Sequence, residues 1–150
     1  MILQKLRAAC CVLLAVALIT GTAAAADPIG MVKTASGAAT VLREGKTTPV
    51  TVGMNVFQGD TVATAADGKV GMTFVDNSMM SLGPNSSLSL DKFRFDTTTY
   101  EGEFGSSLKR GTLAAVSGRI AKQTPEAMTV HTPSAILGVR GTKFVVQAGN

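Results

Sequence analysis

The sequence predicts an all-β domain of short antiparallel strands that form a sandwich, a barrel or a rolled, solenoid-like sheet. In KVGMTFVD (69–76), the apolar side chains Val70, Met72 and Phe74 alternate with residues of the opposite face, which is the pattern of a half-buried strand. Turn residues recur at short, regular intervals from Gly53 to Ser86. This spacing is typical of sandwiches and barrels rather than of alternating strands and helices.

Short strands are predicted on both sides of this segment. ATVLRE (39–44), PVTV (49–52) and GDTVATA (59–65) are rich in valine and threonine, and turn residues bound them. In SSLSLDKFRFD (86–96), Leu88 and Leu90 are followed by Phe93 and Phe95 in a strand pattern.

The turns between these strands are marked by their composition. Asp67-Gly68 predicts a tight hairpin turn, because glycine tolerates the positive φ angles that such turns need. Asp76-Asn77 and Gly83-Pro84-Asn85 are the next predicted breaks.

Two segments do not follow this pattern clearly. RFDTTTYEGEF (94–104) either continues a strand or forms a polar edge hairpin, and the residues alone do not choose between them. We interpret 114–127 as a loop with one helical turn, because Gly118 and Pro125 oppose a long helix.

Residues 1–26 have the features of a signal peptide. Lys5 and Arg7 precede an apolar core, Cys10–Ile19, and the small residues of GTAAAADP fit cleavage after Ala26. An uncleaved membrane anchor is the weaker alternative, because this stretch is rich in alanine and interrupted by polar and glycine residues. We therefore expect a periplasmic or otherwise exported protein whose domain spans 27–150.

The composition excludes several function classes. Cys10 and Cys11 lie in the expected signal peptide, so the exported chain would contain neither disulfides nor thiolate sites. Without Lys5 and Arg7, the net charge of +4 falls to about +2, with acids and bases interspersed. Because the chain also lacks tryptophan and has one tyrosine, we predict no nucleic-acid partner.

No pattern indicates catalysis or a cofactor. His131 is the only histidine, and no G-x-S-x-G turn exposes a serine nucleophile. One histidine without cysteines cannot build a zinc site, and Asp76-Asn77-Ser78 lacks the order of a calcium loop. We predict a protein that is not an enzyme and holds neither metal nor cofactor.

Several residue groups recur in a pattern that points to a family. Gly53 with Val56 comes first, followed by the groups Gly59, Asp60 and Thr64, then Gly68, Phe74, Asp76 and Ser78, and a late block of Thr132, Pro133, Ala135, Val139, Arg140, Gly141, Thr142 and Phe144. This pattern resembles the FecR domain, the periplasmic domain named after the ferric citrate sensing regulator. The late block is its most specific part.

The resemblance implies a role in signalling. In the regulator, this domain receives a signal from an outer-membrane receptor and passes it through a transmembrane helix to a segment that inhibits a sigma factor. In the present sequence we expect no transmembrane segment after signal cleavage. The resemblance therefore implies a stand-alone sensing or adaptor module whose partner is an envelope protein, either a receptor or a membrane signalling protein.

A module that binds a glycan, peptidoglycan or a small ligand is the alternative function. A row of exposed aromatic side chains would favour it, whereas an exposed apolar edge strand would favour protein binding by strand addition. The candidate aromatic residues are Phe57, Phe93, Phe95, Tyr100 and Phe104.

Arg140 has two interpretations, because a buried, unpaired arginine would be costly. In the structural interpretation it pairs with Asp60 or with turn carbonyls and clamps the last strand to the early strands. In the functional interpretation its guanidinium binds a carboxylate of a partner or an anionic glycan.

We predict cleavage between Ala26 and Asp27, because the charged start, the apolar core and the small residues follow one another in the order that signal peptidases require. Amino-terminal sequencing of the exported protein should give Asp27 as the first residue. A membrane-bound protein that still begins at Met1 would contradict this prediction.

Overall fold

The computed structural model of the protein describes residues 25–149. Within this range, the strands are β1 (Gly30–Ser36), β2 (Ala39–Arg43), β3 (Lys46–Pro49), β4 (Asn55–Val56), β5 (Thr61–Thr64), β6 (Lys69–Phe74), β7 (Met79–Leu82), β8 (Ser87–Phe95), β9 (Gly102–Val116), β10 (Met128–His131), β11 (Ile136–Gly138) and β12 (Lys143–Ala148). Helix α1 (Arg119–Gln123) and a 3-10 turn (Pro125–Ala127) lie between β9 and β10. Strands make up 55% of this structure and helices 6%, which confirms the all-β prediction.

The strands form a curled antiparallel sheet in the order β3-β2-β5-β8-β9-β7-β6-β1-β4, a half-barrel around the core. The long strand β9 belongs to both halves of this sheet. Its first part pairs with β8 and, in parallel, with β10, whereas its last part pairs with β7 and β12. The rolled form among the three predicted architectures is therefore the nearest to the structure.

Four of the places where the chain passes between the two halves of the sheet lie on one line of bends, which we call the corner. The corner consists of Gly37–Ala38, Ala65–Gly68, Gly83–Ser86 and the bend at Gly111. Neighbouring bends are joined by backbone hydrogen bonds, from the Ala65 N–H to the Ala38 carbonyl (2.9 Å) and from the Asn85 N–H to the Ala65 carbonyl (3.1 Å). The bends therefore stack on one another.

Thr64 holds the middle of the corner. Its buried hydroxyl accepts a hydrogen bond from the Ser86 N–H at 2.9 Å and donates one to the Gly83 carbonyl at 2.6 Å. The Ser86 hydroxyl in turn accepts the Thr112 N–H at 2.9 Å. Because a buried polar group without a partner is costly, this chain of bonds fixes the path of three segments at once.

Three aromatic rings fill the centre of the core. The Phe104 centroid lies 4.7 Å from that of Phe74 and 5.0 Å from that of Phe93, with the rings edge to face. Phe104 and Phe74 are buried, and Phe93 closes the cluster at its half-buried side. This cluster joins the two halves of the sheet, because Phe74 ends β6 and Phe93 lies in β8.

Several local predictions need correction. Asp67-Gly68 is not a hairpin turn, because β5 and β6 lie in different halves of the sheet and do not pair. The predicted strand PVTV is wrong beyond Pro49, since β3 ends there and the chain turns. Gly30–Ser36, for which we predicted no strand, forms β1.

The two ambiguous segments are resolved by the structure. Residues 94–104 form a hairpin between β8 and β9, in which Phe95 pairs with Gly102 and the exposed residues 96–101 form the tip. The segment 114–127 does contain a helical turn, α1, but its first residues continue β9 to Val116. The pairing of β9 with β7 and β12 extends the strand beyond the point that local composition suggests.

The proposed signal peptide lies almost wholly outside the described residues, which include only its last two, Ala25 and Ala26. Within 25–149, neither helical segment has the length and apolar character needed to cross a bilayer.

We predict that Gly111→Ala will destabilise the domain by about 2–3 kcal/mol, because a side chain is strained at φ +88° and its Cβ would collide with the hydroxyl of Ser86. Gly45→Ala is the matched control, since Gly45 also has a positive φ, +79°, but its Cβ would meet open space. Urea unfolding of both variants measures the difference. Equal losses would show that the contact between Gly111 and Ser86 does not constrain the corner.

Candidate functional site

Asp60 is fully buried at the start of β5, and its partner is Arg43. The Arg43 guanidinium donates from Nε at 2.8 Å and from Nη2 at 2.7 Å to the two carboxylate oxygens, and the Phe57 N–H donates at 2.9 Å. The hydrogen bonds to Asp60 raise the pKa of Arg43 above its ordinary value. The predicted clamp between Arg140 and Asp60 is therefore wrong, because this carboxylate already has a bidentate partner.

Arg43 was not predicted as the partner of Asp60, because only the register of two strands brings them together. Leu42 lies opposite Thr61 in the register of β2 and β5, so the next residue along β2 reaches the one before Thr61. Arg43 at the end of β2 and Asp60 just before β5 are therefore neighbours, and both strands were predicted. Arg43 also covers the ring of Phe57, with 4.3 Å between the guanidinium carbon and the ring centroid.

The second buried carboxylate, Asp76, is held in the turn between β6 and β7. It accepts the Ser78 N–H at 3.0 Å and the Ser78 hydroxyl at 2.6 Å. The same hydroxyl accepts the Gly118 N–H at 3.0 Å, which ties this turn to the segment that leads into α1. A side chain at position 118 would collide with both Asp76 and Ser78, so the glycine permits this close approach.

The late block of the motif begins with a turn. The Thr132 hydroxyl accepts the Ala135 N–H at 3.1 Å, and the Thr132 N–H donates to the Ala135 carbonyl at 2.8 Å. Pro133 occupies the exposed tip of this turn. Thr132 and Pro133 thus close the hairpin of β10 and β11, which is a structural role.

The end of the late block is fastened to the sheet through Ser117. Its hydroxyl donates to the Gly141 carbonyl at 2.6 Å, and its N–H donates to the Thr142 carbonyl at 3.0 Å. Gly141 has a φ of +145°, a conformation that favours glycine. Phe144 follows in β12 and packs half-buried against the core.

Arg140 lies between these fixed points and is exposed. Val139, directly before it, is buried, and the Val139 N–H donates to the Met128 carbonyl at 2.9 Å. Within residues 25–149, no carboxylate lies at ion-pair distance from Arg140, and no hydrogen bond of its side chain is present. The structure therefore holds the backbone on both sides of Arg140 but leaves its guanidinium to the solvent.

Apolar side chains are exposed in the strands before and after Arg140. Ile136 is 69% exposed and Leu137 37% exposed in β11, and Val145 is 70% exposed in β12. β11 pairs only with β10 among the described strands, so its other edge is open. We call Ile136–Arg140 the open-edge segment.

The described residues offer no catalytic or metal-binding constellation. His131 is exposed at the end of β10, and no group of three His, Cys, Asp or Glu side chains within 25–149 could hold a metal ion. The polar residues that the motif buries are engaged in hydrogen bonds that maintain the fold.

The fold and the open-edge segment define a small, curled β-module. Its sequence places it more closely: residues 60–150 match the sequence model of the family described as FecR protein, so the chain belongs to the FecR family. The match contains Asp60, Thr64 and the whole late block, whereas Gly59 and Arg43 lie before it.

Two further comparisons do not add to this family assignment. A comparison with curated proteins finds no match. Among solved structures, a protein described as a cell surface anchoring domain is similar to this chain, with 31% sequence identity and a TM-score of 0.40. The similarity covers 41% of this chain and 82% of that protein.

We predict that Arg43→Ala will lower the free energy of unfolding by about 2–3 kcal/mol, because it leaves the buried Asp60 carboxylate without a cation. Asp60→Asn should also destabilise the domain, and the double variant should cost less than the sum of the two, since both remove one interaction.

Arg140→Ala is the control for this experiment, because it removes an exposed arginine without a bonded partner. Its unfolding free energy should stay within about 0.5 kcal/mol of the wild type. Chemical unfolding of all four variants tests the assignment. A large loss in Arg140→Ala together with a stable Arg43→Ala would contradict it.

Proposed function

We propose that this protein is a non-enzymatic extracytoplasmic sensing or adaptor module of a cell-envelope signalling system. It acts by binding another envelope protein through the open-edge segment. In this proposal residues 1–26 are a cleaved signal peptide, residues 27–150 form the functional domain, and the partner is a receptor or a membrane signalling protein. Membership of the FecR family supports the signalling role.

The observation that carries the proposal is the difference between Arg140 and the other charged residues of the motif. Asp60 and Asp76 are fully buried and bonded within the fold, so their presence is explained by stability. The guanidinium of Arg140 is exposed and has no such bond within 25–149. Its planar donors are suited to a carboxylate of another molecule.

The apolar neighbours of Arg140 support a protein partner. Isolated apolar residues on a surface are ordinary, but Ile136 and Leu137 present exposed apolar side chains on the two faces of one edge strand, and Arg140 follows in the same segment. Apolar side chains with an arginine at their margin are typical of protein interfaces.

The aromatic residues give no comparable support to glycan binding. Phe93 and Phe104 belong to the core cluster, and Phe57 lies under Arg43. Tyr100 is stacked with Phe95, at 6.3 Å between centroids, and Arg119 covers its ring. These residues therefore do not form a row on one exposed face.

A cleft on the sheet also lacks the features of a sugar site. It has a volume of about 470 Å³ and crosses the outer face of the sheet. Small side chains line much of it, including Thr34, Gly71, Ser81 and Ala114, and no aromatic residue is among its lining. A sugar would find no stacking surface there.

We expect a photoreactive amino acid at Ile136 to crosslink the protein to a specific envelope protein in intact cells, because this side chain faces the proposed interface. The same probe at Val52, which is 63% exposed in a turn between β3 and β4, is the matched control. Mass spectrometry identifies the adduct, and Arg140→Ala should reduce its yield while the domain melts normally. Identical adducts at both positions would contradict the proposed surface.

A further inference from the structure

The backbone of β11 has one bonded and one open side. The Val139 N–H donates to the Met128 carbonyl, and the Thr132 N–H donates to the Ala135 carbonyl. In an antiparallel pair, residues whose N–H and carbonyl groups bond the neighbouring strand alternate with residues whose groups point away from it. The backbone groups of Leu137 therefore also face β10. The N–H and carbonyl groups of Ile136 and Gly138 therefore point away from β10, toward the open edge.

The space beside this edge is free of the described chain. All three residues of β11 are exposed, and no described strand pairs with its second edge. On the sheet face, a Cβ added to Gly138 would meet no atom within 4 Å. Natural edge strands are commonly protected by charges, bulges or covering loops. Shortness is a further protection, and β11 has only three residues. Within residues 25–149, however, all three are exposed, no strand pairs with the second edge, and the strand carries the apolar Ile136 and Leu137.

The side chains show what kind of strand would fit. Leu137 lies opposite the fully buried Val130 and extends the core face to the edge, whereas Ile136 lies opposite His131 on the outer face. An added strand would therefore meet an apolar neighbour on each of its faces. Apolar, β-branched side chains suit both positions.

Along the sequence, the charged residues around the open-edge segment are all basic. After Glu126 the sequence contains Arg140 and Lys143 but neither aspartate nor glutamate. Both cations are exposed, and within the described residues neither forms an ion pair. Arg140 lies two residues beyond Gly138, so the strand alternation places both on the same face. An acidic side chain on that face of the added strand would lie near Arg140.

We propose that β11 accepts an extended segment of the partner protein as an additional strand. The segment bonds the backbone of Ile136 and Gly138, presents apolar side chains to Leu137 and Ile136, and places an acidic residue beside Arg140. This inference rests on the proposed function and specifies its binding mode. Main-chain bonds supply affinity in such complexes, and the side chains supply selectivity.

A pair of variants at Gly138 isolates the backbone contribution. Gly138→Pro removes the outward N–H and puts a ring at the open edge, while the bonds from β11 to β10 remain. Gly138→Ala adds a methyl group to the same open space and keeps the N–H. The comparison therefore tests strand addition separately from side-chain contact.

A displayed library of short random peptides, selected against the full-length protein, supplies a defined probe. The enriched peptides should alternate apolar residues and contain an acidic residue. They should bind wild type and Gly138→Ala alike, and Gly138→Pro at least about tenfold more weakly, because it loses a main-chain hydrogen bond. Arg140→Ala should weaken binding by up to about fivefold.

Hydrogen exchange of the wild-type protein gives an independent measurement, which stands even if Gly138→Pro fails to fold. The amides of Ile136 and Gly138 should exchange rapidly in the free protein and slowly with peptide bound. An absence of enriched peptides, equal binding to Gly138→Pro, or unchanged exchange at these amides would overturn strand addition. Enriched peptides without acidic residues would overturn the charge match.

The crosslinking experiment at Ile136 separates the two proposals. A specific crosslink together with unchanged amide exchange would keep the adaptor function and reject the added strand. Failure of both experiments would reject the proposed function as well.

Discussion

The hydrogen bonds of Thr64 to Ser86 and Gly83 are the constraint on which the rest of the structure depends. They fix the corner at which the chain leaves one half of the sheet and enters the other. Stacked bends on either side of Thr64 then bring β9 into both halves, so that one strand carries the register of the whole domain. Without disulfides among the described residues, this polar chain and the phenylalanine cluster together define the closed form.

The two buried carboxylates, Asp60 and Asp76, each stabilise one of the other turns. Asp60 fastens β2 to the turn before β5, and Asp76 fastens the β6–β7 turn to the segment before α1. Asp60 accepts three hydrogen bonds, two of them from the Arg43 guanidinium, and Asp76 accepts two from Ser78, so both carboxylates are engaged within the fold. The late block differs. Hydrogen bonds fix its Thr132 turn and Gly141, whereas the Arg140 side chain forms none within residues 25–149.

Much of the fold could be predicted from alternation and turn composition, and the failures have physical causes. Val70, Met72 and Phe74 lie on the buried face as their period requires. The Asp67-Gly68 turn was misassigned because a bend between two sheet halves and a hairpin use the same residue types. The partner of Asp60 was misassigned for a different reason: only the register of β2 against β5 brings Arg43 to it, and pairing between distant strands leaves no local signal. The exposure of β11 was not predictable for a similar reason: it arises because no described strand pairs with its second edge.

The position of β9 in the strand order also affects how the chain can fold. It pairs with β7 and β8, which precede it, and with β10 and β12, which follow it. A growing chain therefore cannot complete the edges of its central strand until β12, at residues 143–148, has emerged. Contacts of such long sequence separation form slowly. A chain shortened before residue 143 would therefore leave the last part of β9 with one unpaired edge, so the final six-residue strand has to be present before the sheet is complete.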